Sequence, residues 1–174
     1  MLNSINPSNS ELIASYEEMT KEEVKVIISD VNSAYQEWRL TSFSHRTQLM
    51  KNAAEILQDR KEDLGRLMTL EMGKPFSQAV AEANKCASVC EYYADNAEKI
   101  LENQIIETDA SKSYVVYRPI GIVLAVMPWN FPFWQVLRFA APALMAGNVG
   151  VLKHASNVQG CALEIEKIFQ DAGF

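Results

Sequence analysis

Apolar residues over the first hundred positions recur at helical spacing. Val24, Ile27, Ile28, Val31, Ala34, Tyr35 and Trp38 follow the i, i+3, i+4, i+7 rule and fall on one face of a helix. Thr20-Lys21-Glu22-Glu23 precedes them as a capping box, Thr20 accepting from the N3 amide and Glu23 reaching back. A second helix is predicted from near Ser44, with Leu49, Ala53, Ile56 and Leu57 as its buried stripe. A third covers 61–72 and stops at Gly73-Lys74-Pro75, where a left-handed glycine is followed by proline. The fourth, over 77–101, is alanine-rich and sets Val80, Ala83, Ala87, Cys90, Ala94 and Ala97 at near-heptad spacing. Ahead of all four, residues 12–16 form a short strand.

From residue 104 the period changes. Ile105-Ile106-Glu107-Thr108 and Tyr114-Val115-Val116-Tyr117 read as short strands. The apolar run Ile122-Val123-Leu124-Ala125-Val126 predicts a strand buried on both faces of a parallel sheet. A helix over 133–145 closes at Gly147-Asn148, a second buried strand is Val149-Gly150-Val151-Leu152, and a last helix covers 158–172. Strand, helix, strand, helix is the rhythm of an α/β cofactor domain, here running through only two strands. Pro119 to Leu137 is uncharged for 19 residues, long enough to span a bilayer. Yet Pro119, Gly121, Pro128, Asn130, Pro132 and Gln135 interrupt that stretch, so strand-loop-helix is expected and no membrane span.

Composition narrows the function class. The 174 residues are 48% apolar and 22% charged, as in a soluble globular domain. A net charge of −6 with no basic run disfavours nucleic acid or an anionic membrane as partner. Residues 1–112 hold 12 Lys/Arg and 19 Asp/Glu, residues 113–174 only 4 and 3, with the step at Ala110-Ser111-Lys112-Ser113. Three cysteines make no disulfide framework, and Met1 to Pro7 has neither a basic nor an apolar leader region, so a cytoplasmic protein is expected. Cys86 and Cys90 lie one turn apart without further ligands, so no metal site is expected. Cys161 reads as a small buried hydrophobe, and His45 and His154 as surface residues or residues behind a site.

Candidate chemistry lies in Met127-Pro128-Trp129-Asn130-Phe131-Pro132, at the carboxyl end of the first apolar strand, where open α/β sheets bind ligands. The prolines stiffen the loop around Asn130, whose amide suits an oxyanion, a donor worth about 3–4 kcal/mol of transition-state stabilisation. The other reading has Asn130 capping the next helix and Trp129 filling core. Trp134 and Arg138 are i, i+4 neighbours on that helix, and arginine clamps carboxylates with two parallel bonds. Alternatively Arg138 snorkels to solvent or is structural, paired with an acid elsewhere.

Tyr117-Arg118-Pro119-Ile120-Gly121-Ile122-Val123, the Pro-Trp-Asn-Phe-Pro loop, Pro142-Ala143-Leu144, Gly147-Asn148 and Val151-Leu152-Lys153 resemble the aldehyde dehydrogenase superfamily. Glu71-Met72-Gly73-Lys74-Pro75 and Ile5-Asn6-Pro7 fit it in the same order along the chain. Trp134-Gln135, Arg138 and Lys153-His154-Ala155 are most similar to succinate-semialdehyde dehydrogenase-like members. The resemblance implies an α/β fold, N-terminal helices followed by the first strands of a Rossmann-like parallel sheet, and incomplete in these residues. It divides the chain into a mainly helical part of the cofactor domain (1–112), a strand resembling the oligomerisation arm (113–120) and the first βαβα of the NAD(P)-binding domain (121–174).

By the same resemblance Asn130 stabilises the oxyanion, and Val126, Met127, Pro128 and Trp129 line the cofactor cleft. Lys153 bonds the adenosine ribose hydroxyls. Many NAD-preferring members carry glutamate where this chain has Ser156, and a neutral Ser156 removes repulsion of a 2′-phosphate. NADP or NAD is therefore the implied cofactor, with a lean to NADP; Ser156 or Asn157 capping the last helix is the competing reading. Phe131, Trp134 and Arg138 fall on the substrate side, Arg138 taking a distal carboxylate. The implied parent is a homo-oligomer, dimer or tetramer, acting on a small aldehyde. Family members carry their nucleophilic cysteine and general-base glutamate past the point matching Phe174, so these residues are expected to be an N-terminal fragment, inactive alone. The alternative is a non-catalytic product that associates with dehydrogenase subunits.

Overall fold

The capping box forms as its residues require. Thr20 Oγ1 accepts from the Glu23 amide at 3.2 Å, and Glu23 Oε2 accepts from the Thr20 amide at 2.7 Å. This starts the first helix of the computed structural model, which describes residues 1–174. The elements are β1 (Leu2–Ile5), β2 (Leu12–Tyr16), α1 (Lys21–Trp38), α2 (Phe43–Asp59), α3 (Lys61–Met72), α4 (Phe76–Ile100), β3 (Gln104–Ile105), β4 (Tyr114–Val115), β5 (Ile122–Val126), α5 (Trp134–Met145), β6 (Val149–Lys153) and α6 (Gln159–Asp171). Gly73 ends α3 at φ 73°, the left-handed conformation its position predicts. The strands form three two-stranded sheets: β1 and β2 antiparallel, β3 and β4 antiparallel, β5 and β6 parallel.

α4 is the axis of the core. Ala79, Ala83, Cys86, Ala87 and Cys90 are wholly buried along one seam. Their small side chains let α2, α3 and α5 approach closely. Met50, Leu57, Leu64 and Met68 from the front helices share one apolar cluster with Phe133, Leu137, Met145, Cys161 and Ile168 from the back. The charge step near residue 112 is therefore not a break in the core.

Several expectations are corrected. β1 was not foreseen, because Asn3 and Ser4 interrupt its apolar pattern; pairing with β2 holds it. β3 and β4 are shorter than the runs suggested, and β3 begins one residue earlier. The stripe of α1 is only partly covered: Ile27, Val31, Tyr35 and Trp38 are half-buried, while Val24 and Ile28 stay exposed. This helix lies across the β5–β6 pair, outside the helical layer. Nor is β5 buried on both faces. Ala125 is buried, whereas Leu124 is 65% and Val126 64% exposed, since no element of these residues covers that face. No helix is long and apolar enough to cross a membrane.

One buried cation ties the front helices to the carboxyl end of α5. Arg46 Nη1 donates to Met145 O at 3.1 Å, at the end of α5. Nη2 donates to Trp38 O at 3.2 Å, Arg39 O at 3.3 Å and Thr41 O at 2.9 Å, and Nε to Thr41 Oγ1 at 2.9 Å. A positive charge is thus set against the carboxyl ends of α1 and α5, where the helix dipole favours it. Gly147, at φ +87°, closes over the guanidinium; a Cβ there would stand 3.0 Å from Nη2. Arg46→Met should lower stability by about 2–4 kcal/mol in urea unfolding, because one buried carbonyl and three part-buried ones lose a charged donor together. Arg46→Lys should recover less than half of that loss, since one ammonium cannot span the set.

Candidate functional site at the strand ends

β5 and β6 pair in register from Ile122 with Val149 to Val126 with Lys153, so their carboxyl ends lie side by side. The Met127 amide donates to Lys153 O at 3.1 Å and carries the pairing one residue further. Beyond it two loops leave together, 127–133 and 154–158. His154 staples them. Its Nδ1 accepts from the Ala155 amide at 2.8 Å, so the proton sits on Nε2, which donates to Pro132 O at 2.9 Å. Burial lowers the His154 pKa below its ordinary range and keeps the ring neutral.

Helices α5 and α6 both begin at buried ends, where their first amides lack intrahelical acceptors. Glu82 of α4 serves α5: its Oε1 accepts from the Phe133 amide at 3.0 Å and the Trp134 amide at 2.9 Å. Its Oε2 pairs with Lys74, which also donates to Asn130 O at 3.1 Å and lies 3.6 Å from the Phe131 ring centre. Glu71 of α3 serves α6, accepting from the Gly160 and Cys161 amides at 2.9 Å each and from Ser4 Oγ at 2.8 Å. Gly160 is required there, because a Cβ would stand 2.9 Å from Glu71 Oε1.

These carboxylates decide readings that the residues alone left open. Neither Asn130, Ser156 nor Asn157 caps a helix, since Glu82 and Glu71 hold the amides in question. Trp129 does not fill core either, being 50% exposed. Arg138 is exposed and pairs with no acid of these residues. Val126, Pro128, Trp129, Asn130, Phe131, Lys153 and Ser156 are exposed around the strand ends, and Met127 and Trp134 half-buried. His154 is not a surface residue but lies buried behind the loops. Phe131 lines a pocket of about 260 Å³ with Lys74, Gln78, Ala81, Glu82 and Lys85; Arg138 does not line it.

Sequence reasoning missed Glu71, Lys74, Glu82 and Arg46 as site-builders. One signal was available: Glu71 follows Leu64 and Met68, and Glu82 falls between Ala79 and Cys86, so each charge breaches an apolar seam. All three cysteines are wholly buried, and burial pushes their thiols up, Cys90 to about 12. None is poised as a thiolate at neutral pH.

His154 also sets a pH dependence. Its folded pKa lies below the unfolded value near 6.5, so the unfolded chain binds the proton more readily. The histidine's stabilising contribution is complete above that value and declines as pH falls through it. Urea unfolding midpoints should therefore drop below pH 6.5, and His154→Gln should flatten the slope in that window; an equal slope in both proteins contradicts this role.

Comparisons with known proteins agree with this geometry. The model of the aldehyde dehydrogenase family matches residues 1–174. The probable succinate-semialdehyde dehydrogenase (NADP+) of Synechocystis sp. is 53% identical over 170 residues, covering 98% of this chain and 37% of that protein. Succinate-semialdehyde dehydrogenase (NADP+) 1 of Mycobacterium tuberculosis is 45% identical over 173 residues, covering 98% and 38%. The crystal structure of succinic semialdehyde dehydrogenase from Streptococcus pyogenes in complex with NADP+ superposes with a TM-score of 0.96 at 32% identity, covering 100% of this chain and 38% of that one. Betaine aldehyde dehydrogenase of Staphylococcus aureus, in complex with NAD+, superposes at 0.92 with 28% identity, covering 99% and 36%. The chain thus spans less than two-fifths of the length of these relatives. Strand-end loops, helical front and family model point the same way: the chain belongs to the aldehyde dehydrogenase family.

Proposed function

We propose that these residues are the N-terminal part of an NADP+-dependent dehydrogenase that oxidises succinate semialdehyde, or a similarly short carboxylated aldehyde, to its acid. The observation that carries the reading is Asn130. Lys74 grips its backbone carbonyl from a buried ion pair, while its side-chain amide is exposed and bonded to nothing in the chain. A rigid backbone with a free amide is what an oxyanion donor needs, because a donor fixed in advance requires no reorganisation during reaction. Relatives named for NADP+ and succinate semialdehyde support cofactor and substrate class.

The residues at the strand ends fit the dinucleotide. Val126, Pro128 and Trp129, exposed, and Met127, half-buried, offer an apolar edge beside it. Lys153 is exposed and in no ion pair, and Ser156 presents a hydroxyl with no intramolecular bond. Glu71 and Glu82 are buried and fully engaged, so they do not oppose a 2′-phosphate at the surface. Bound there, NADP+ supplies the hydride acceptor. Asn130 donates its amide N–H to the aldehyde oxygen as negative charge develops, and Phe131, Trp134 and Arg138 orient the substrate, Arg138 through its distal carboxylate.

The thiolate nucleophile belongs to the remainder of the parent enzyme, since Cys86, Cys90 and Cys161 are buried and protonated. Residues 1–112 form the helical support of the cofactor domain, 113–120 the arm and 121–174 the first βαβα. The hairpin exposes Ile105, Tyr114, Val115 and Tyr117, apolar surface that suits a homo-oligomeric parent. In the parent enzyme, Arg138→Leu should raise KM for succinate semialdehyde about tenfold or more, the loss of a charged hydrogen-bonded pair. KM for butanal should change far less; equal changes for both aldehydes contradict the substrate role.

A further inference from the structure

Two lysines line the pocket beside Phe131, and their charges are not equivalent. Lys74 is buried and neutralised by Glu82. Lys85, one turn beyond Glu82 on α4, is exposed, forms no ion pair with any carboxylate and makes no hydrogen bond. Glu82 does not compensate it: the two form no ion pair, and the Glu82 charge is already matched by the buried Lys74.

Lys85 is nonetheless held in place. Its Nζ lies 3.8 Å from the centre of the Trp134 ring, a cation–π contact that orients the ammonium and leaves its N–H donors unspent. Trp134 shares its helix face with Arg138, four residues on and equally unpaired. One indole therefore has an uncompensated cation on its ring and another a turn away, next to the loop that presents the free Asn130 amide. Such an arrangement is complementary to a short ligand with an electrophilic carbonyl at one end and an anion at the other.

We propose that Lys85 is a specificity-determining residue that binds the distal carboxylate of the aldehyde, acting with Arg138 across Trp134. This deepens the substrate reading above and rests on it. The ammonium donates a charge-assisted hydrogen bond to a carboxylate oxygen, and Trp134 supplies the rigid floor on which the substrate's methylenes lie. Phe131 and the paired Lys74 close the opposite wall without adding net charge.

The test is substrate discrimination by the parent enzyme, read as the ratio of kcat/KM for succinate semialdehyde to that for butanal. Lys85→Met keeps the apolar stem over Trp134 and removes only the charge. It should lower the ratio roughly tenfold or more, as loss of a charged hydrogen bond does. Lys85→Arg should keep most of it, and rising salt should reduce the wild-type ratio more than that of Lys85→Met. Lys85→Gln serves as a second neutral variant and should behave like Lys85→Met. A wild-type ratio well above one that persists in both neutral variants overturns the role of Lys85 and leaves the substrate reading intact. A wild-type ratio near one overturns the substrate reading, and this proposal with it.

Discussion

A helix that starts inside a protein presents amides that nothing in the helix can accept, and leaving them dry and unpaired is expensive. Both helices that follow the parallel strands, α5 and α6, start that way. Their amides are satisfied by two buried carboxylates from the helical front, Glu82 for α5 and Glu71 for α6. Each negative charge lies at the positive end of a helix dipole and accepts at least two N–H bonds, which makes its burial tolerable. Glu82 has Lys74 as counter-ion besides; Glu71 relies on amides and the Ser4 hydroxyl. At its other end α5 meets Arg46, so this helix carries an anion and a cation in the order its dipole favours.

The arrangement of the strand ends follows from that constraint. Because buried acids serve the helix starts, the polar side chains of the loops are released from capping. Asn130 and Ser156 stay unbonded within the chain, while their backbones are held by Lys74 and by the His154 bridge between the two loops. Stiff backbone with free side chains is the condition for a preorganised binding loop. The front helices are therefore not a separate support: Glu71 of α3 and Glu82 of α4, with Lys74 from the turn between them, build the floor beneath the loops.

Much of this was legible in the residues. Thr20 to Glu23 and Gly73-Lys74-Pro75 marked helix ends by local chemistry, and both marks hold because capping depends on near neighbours only. The alanine seam of α4, the two apolar strands and the loop between β5 and α5 were equally local. What was not legible depends on partners far along the chain. β1 exists because β2 is there to pair with it, and its Ser4 is buried because Glu71 needs a donor. Exposure of Leu124 and Val126 reflects which elements cover the sheet, which no run of apolar letters encodes. Glu71 and Glu82 were visible as charges in apolar seams, but their partners were not. The contact of Lys85 with Trp134 likewise joins two helices whose approach only the packed core defines.

Native-state hydrogen exchange tests the central claim most directly, because it reads the helix-start amides one at a time. Glu82→Ala should speed exchange at Phe133 and Trp134 by roughly tenfold or more relative to the amides of α2, leaving Gly160 and Cys161 near their original rates. Glu71→Ala should do the reverse. If either substitution speeds all four amides together with those of α2, the carboxylates contribute only general stability, and the account of how the loops are held is wrong.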